Sequence, residues 1–197
     1  MRMNILLTSA GFEDMDGIQK KNIVNCFRTM LDKPFHNAKV LFIPTAAIDQ
    51  EAKRMVDKCR SELLDLGILP ENITVYDIGG SLNVEDALAH DILYFTGGNT
   101  RHLLQRIRET GFEAMINKMT AAGKVYIGVS AGSLIATPNI GDPHDKSTEG
   151  LGLIKAYLRV HCPEHQLQET GESIPVVYLT DRQAVAVTKD SFTILED

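Results

Sequence analysis

The segment Gly128-Val129-Ser130-Ala131-Gly132 sets a serine among small residues, directly after the apolar run Val125–Val129 and before Ser133-Leu134-Ile135. A serine hydroxyl is a poor nucleophile. It needs a tight turn to present it, a base to take its proton, and backbone N–H groups aimed at the developing oxyanion. G-x-S-x-G between a strand and a helix meets the first need, because small neighbours permit the turn and let the helix pack closely. The competing reading is that Ser130 only caps the following helix.

Phe95-Thr96-Gly97-Gly98-Asn99-Thr100 ends an earlier apolar run in the same way. In a parallel sheet both turns open at the carboxyl edge. The N–H groups of Gly98 and Ala131 are therefore candidate oxyanion donors, while Asn99 or Thr100 is placed to cap the helix that starts near Arg101. Six histidines are available as a base: His36, His90, His102, His144, His161 and His165. Only His144, His161 and His165 follow Ser130 at loop or strand-end positions, and His161 directly follows the strand-like AYLRV. His36 and His90 sit in polar connections and read as solvated. His161-Cys162-Pro163-Glu164-His165 also spells H-x-x-E-H, a zinc-hydrolase pattern, but that pattern needs both histidines on one helix face, and Pro163 cannot sit inside a helix. No metal and no cofactor is expected.

These residues need a frame to hold them. Short apolar runs, Ile5–Thr8, Val40–Pro44, Ile73–Ile78, Ile92–Thr96, Val125–Val129, Tyr157–Val160 and Val176–Leu179, alternate with helical patterns. Several are apolar at successive positions, as in VLFIP and ILYFT, which is how strands buried on both faces read. Ile18, Ile23, Phe27, Met30 and Leu31 recur near helical spacing, as do Met55, Val56, Cys59, Leu63 and Leu66; a third helical stretch from Leu103 is interrupted at Gly111. The rhythm predicts a three-layer, doubly wound α/β fold with a mainly parallel sheet. Pro138–Gly152 is the one long stretch without periodicity. It follows the candidate nucleophile and carries Asp142, Asp145 and Glu149 against Lys146, and long loops of this kind are often functional.

The chain has 197 residues, 44% of them hydrophobic, a length suited to one domain over residues 1–197. Its formal net charge of −6 leaves no basic excess for nucleic acid or an anionic membrane surface. No run approaches roughly 18 uncharged apolar residues, so a membrane span is not expected and a cytoplasmic location is. Cys26, Cys59 and Cys162 are odd in number and widely spaced, which argues against a disulfide framework or a thiolate zinc site; Cys26 and Cys59 read as small core residues.

Taken together, YFTGGNT, YIGVSAGSLIATPNI, the His161 strand end and the closing LTDRQAVAV resemble the peptidase E family of serine peptidases, which includes aspartyl dipeptidases. The likeness runs over nearly the whole chain, and its most specific part is GGNT followed about thirty residues later by G-x-S-A-G. It implies a fold similar to class I glutamine amidotransferase domains, hence flavodoxin-like, with a Ser-His-acid triad. By that resemblance Ser130 is the nucleophile, His161 the base, and Gly98 and Ala131 the oxyanion donors. The acid is Asp181, in the turn before a late strand, or alternatively Asp145 in the long loop; a rigid strand end favours Asp181. The implied activity is a small-peptide exopeptidase or dipeptidase working through an acyl-enzyme on a small peptide substrate, with a homodimer left open. The alternatives are a catalytically inactive binding domain on the same fold and a non-peptidase esterase or amidase.

Overall fold

Successive side chains along a strand point to opposite faces of a sheet, so a strand apolar at every position demands cover on both sides. The computed structural model, which describes residues 4–141, 146–168, 174–189 and 191–197, provides that cover. Strands β1 (Asn4–Thr8), β2 (Val40–Ile43), β3 (Ile73–Val75), β4 (Ile92–Phe95) and β5 (Val125–Val129) are mutually parallel, in spatial order β1-β5-β4-β2-β3. Ile5, Leu7, Leu41, Ile43, Leu93 and Phe95 face one core; Leu6, Val40, Phe42, Ile92 and Tyr94 face the other.

The second of these cores is closed by α1 (Lys21–Leu31) and α2 (Gln50–Asp65), through Ile23, Phe27, Cys59 and Leu63. The first is closed by α3 (Val84–Leu88), α4 (Thr100–Thr110), α5 (Glu113–Ala121) and the single turn α6 (Ala131–Leu134), through Ala87, Leu104, Ile116 and Ala131. This is the three-layer α/β arrangement that the strand-helix rhythm predicts. Gly111 ends α4 in the left-handed region at φ 66°, where the sequence places the interruption.

Four expectations are corrected. The runs at Tyr157 and Val176 are not strands of the parallel layer. They form β6 (Tyr157–Arg159) and β8 (Val176–Tyr178), which with β7 (Gln166–Gln168) make a separate sheet of order β6-β8-β7. Each buries only its central residue, Leu158 or Val177, so neither has the second apolar face that the interior of the main sheet demands. The place beside β1 is taken instead by β9 (Gln183–Thr188), antiparallel to β1, with β10 (Ser191–Glu196) antiparallel to β9 at the edge. The run from Ile73 stops as a strand at Val75, after which a turn begins in which the Gly80 N–H donates to Asp77. Ile18 precedes α1 and is exposed, whereas His90 is buried, its Nδ1 bonded to the Asp86 carbonyl at 2.9 Å.

Candidate active site

β5 runs straight into Ser130, whose backbone sits at φ 47°, ψ −102°. A non-glycine residue there carries strain of about 1–3 kcal/mol and persists only where its surroundings hold it. Here the Ser130 N–H donates to the Thr8 carbonyl at 3.0 Å, and the Ser130 carbonyl receives the N–H groups of Ser133 and Leu134. The Ser133 hydroxyl lies within bonding distance of the Thr8 and Gly128 carbonyls, and the buried Tyr126 hydroxyl donates to the Gly132 carbonyl at 2.7 Å. Gly128 is required by this packing, since a β-carbon on it would lie 2.4 Å from the Gly132 carbonyl oxygen.

The Ser130 side chain makes no capping bond to α6, so the capping reading fails. Its Oγ lies 2.9 Å from His161 Nε2, and His161 Nδ1 lies 2.6 Å from Asp181 Oδ1. With Nδ1–H donating to the carboxylate, Nε2 is left as the acceptor for the serine hydroxyl. Both His161 and Asp181 are half exposed. His161 reaches Ser130 from the end of β6 in the small sheet, in a left-handed turn at φ 58°, rather than from the carboxyl edge of the main sheet. Asp181 sits in the turn joining β8 to β9, which is where the two sheets meet.

The Gly97-Gly98 turn lies against this serine: a β-carbon on Gly97 would be 3.4 Å from Ser130 Cβ. Asn99 accepts the His102 N–H at 2.9 Å and so caps α4. Ala131 opens α6, so its N–H has no acceptor within the helix. Asp145 and His144 lie outside the described residues. His165 is engaged elsewhere, its Nδ1 bonded to the Tyr178 carbonyl at 2.9 Å, and 161–165 is not helical, so the H-x-x-E-H spelling does not put two histidines on one helix face.

A cleft of about 420 Å³ opens beside Ser130 and His161, walled by Gly97, Gly98, the α2 cap Asp49 and the α2 side chains Met55, Lys58 and Glu62. Burial pushes the Glu62 carboxyl up from its ordinary range, although the Phe12 N–H donates to it at 2.9 Å. Burial likewise pushes the Lys20 ammonium down, and its Nζ donates to the carbonyls of Ala10 and Gly11. Neither residue was flagged by the sequence, because a single buried polar side chain, on α2 for Glu62 and just before α1 for Lys20, leaves no periodic signal. Ser9, which contacts both His161 and Asp181, was missed as well; its one hint is its place just past the end of β1, at the edge where Ser130 stands.

A strained serine at a strand-to-helix elbow, bonded in series to an imidazole and a carboxylate on a doubly wound sheet, is the arrangement of a serine-type hydrolase. The chain belongs to peptidase family S51, whose model matches residues 5–195. It is 32% identical over 155 residues to an uncharacterized peptidase of Pasteurella multocida, covering 73% of this chain and 74% of that protein. An uncharacterized peptidase of Listeria monocytogenes is 37% identical over 120 residues, covering 61% of this chain, and peptidase E of Salmonella arizonae 33% over 143 residues, covering 67%. These two matches span only 58% and 60% of the relatives' own lengths. A solved Listeria monocytogenes chain with a provisional peptidase E name superposes over the full length of both chains, with TM-score 0.75 and 25% identity.

Proposed function

We propose that this chain is a serine peptidase of small peptides, an exopeptidase or dipeptidase, with Ser130 as nucleophile, His161 as general base and Asp181 as the orienting acid. Ser130 Oγ attacks the scissile carbonyl carbon while its proton passes to His161 Nε2. The oxyanion so formed is met by the N–H groups of Gly98 and Ala131. Collapse breaks the C–N bond, His161 returns the proton to the departing amine, and water repeats the sequence on the acyl-enzyme.

The observation that carries this reading is the unbroken series from Ser130 Oγ through His161 to Asp181, at 2.9 and 2.6 Å. Its counterpart, an inactive binding domain, has no use for a strained serine bonded to an imidazole. The test is turnover of a dipeptide panel by wild type and by Ser130→Ala, with fluorophosphonate labelling mapped by mass spectrometry. Ser130→Ala should fold and lose activity by a factor approaching ~10⁶. Label on another residue, or no turnover of any peptide by wild type, would sink the proposal.

A further inference from the structure

Ser9 is fully buried, and its hydroxyl joins the two groups that the proposed chemistry needs held together. The Ser9 hydroxyl donates to Asp181 Oδ1 at 2.9 Å, the same oxygen that receives His161 Nδ1–H, and its oxygen accepts the His161 backbone N–H at 2.8 Å. His161 and Asp181 follow strands of the small sheet, β6 and β8, whereas Ser9 and Ser130 follow strands of the main sheet, β1 and β5. A single hydroxyl therefore ties the base and the acid to the strand layer that carries the nucleophile.

The turn that bears Ser9 is itself braced. The Ser9 N–H donates to the Gln183 carbonyl, the Gly11 N–H donates to Thr8 Oγ1, and Lys20 Nζ donates to the carbonyls of Ala10 and Gly11. Thr8, the residue before Ser9, accepts the Ser130 N–H on its carbonyl. One stretch of backbone thus fixes the nucleophile on one side and the base-acid pair on the other. The Ser9 oxygen thus meets the main chain of His161, in its left-handed turn, and the half-exposed carboxylate of Asp181.

We propose that Ser9 is a positioning residue, whose hydroxyl sets the His161–Asp181 pair in register with Ser130. This rests on the catalytic reading of Ser130, His161 and Asp181. It makes Ser9 act on the rate of the chemical step and not on substrate binding, since small misplacements of a base cost rate steeply.

The experiment combines kinetics with a signal that needs no turnover. Ser9→Ala should lower kcat roughly 10–100-fold with KM within about twofold, and Ser9→Thr, which keeps the hydroxyl, should restore most of the rate. In an Asp181→Ala background the same Ser9→Ala change should cost less than about threefold, because the group it holds is gone. Proton NMR should show the His161 Nδ1 proton at low field in wild type and in Ser9→Thr, and shifted or broadened in Ser9→Ala. If Ser9→Ala fails to fold, Ser9→Cys, with its weak S–H donor, carries the same comparisons. Additive losses, an unchanged kcat or an unchanged Nδ1 signal would overturn the proposal. Failure of the peptidase reading shows separately, as a wild type without turnover, and the Nδ1 signal then still decides the role of Ser9.

Discussion

Gly98 lies so close to Ala46 that a β-carbon on it would stand 2.3 Å from the Ala46 carbonyl oxygen. Its φ of 133° also belongs to glycine alone. The Ala46 carbonyl already receives the Asn99 N–H at 2.8 Å, so the turn after β2 and the turn after β4 are locked to one another. Relief of the clash would move either Gly98 or the Ala46 turn. Gly98→Ala should therefore lower stability by about 1–3 kcal/mol and lower turnover further still. Thermal denaturation beside steady-state kinetics checks this. A destabilised variant with wild-type kcat would show that the Ala46 turn gives way and the Gly98 N–H keeps its place.

The acid can be assigned by kinetics. An imidazole bonded to a carboxylate is held in the useful tautomer, and its cation is stabilised as the serine proton arrives. Asp181→Asn should lower kcat by roughly 10²–10⁴ with little change in KM, and Asp145→Asn should have the smaller effect. A larger kcat loss for Asp145→Asn would move the triad into the long loop.

The ease with which each part could be read follows from how local its signal is. Gly98, Ala131 and Ser130 lie in turns whose glycines and small residues mark a bend in five or six consecutive letters. The parallel core was legible for a related reason: strands such as β2 and β4 are apolar at every position because helices cover both faces. The small sheet was misplaced because three-residue strands with one buried side chain match no period well. Ser9 and Asp181 are 172 positions apart, and a lone serine after a strand has no sequence mark of the partner it will meet. Asp145 and Asp181 could not be separated by spacing alone. The described structure brings Asp181 to His161, while Asp145 lies outside the described residues.

Cys59 lines the cleft and should nonetheless be inert. Burial, aided by the nearby Glu62 charge, pushes its thiol up from 9.0 to about 12. The thiolate is the reactive form, and it is absent at neutral pH. Because the folded state holds the thiol proton more tightly than the unfolded chain, the resulting stabilisation is full below the ordinary thiol value. It is lost as pH rises through the folded one. Iodoacetamide treatment of the native protein at mild alkaline pH should leave the Cys59 peptide unmodified, while the denatured chain should alkylate there. Modification of Cys59 in the native state would show the site to be more open than its burial implies.

The charge of the cleft argues against an acidic residue at the position whose carbonyl is attacked. Asp49, Glu51 and Glu62 line it, and Lys58 is the one cation among the described lining residues. That lysine is engaged, its Nζ donating to the Asp14 carbonyl at 3.2 Å and lying 4.0 Å from Glu62. Arginine, whose planar fork suits a carboxylate, is absent from the described lining; Arg106 donates to the Ile78 carbonyl and Arg108 to the carbonyls of Ser147 and Glu149. A substrate carboxylate entering the cleft would meet like charge and only a shared ammonium. Asp-X dipeptides should therefore be hydrolysed no faster than neutral X-X dipeptides, judged by kcat/KM, and the discrimination should weaken at high salt. Glu51→Gln should raise kcat/KM for Asp-X relative to a neutral dipeptide, by roughly two- to tenfold for a partly screened charge. A marked Asp-X preference in wild type, abolished by Lys58→Gln, would reverse the argument and make Lys58 the partner of the substrate carboxylate.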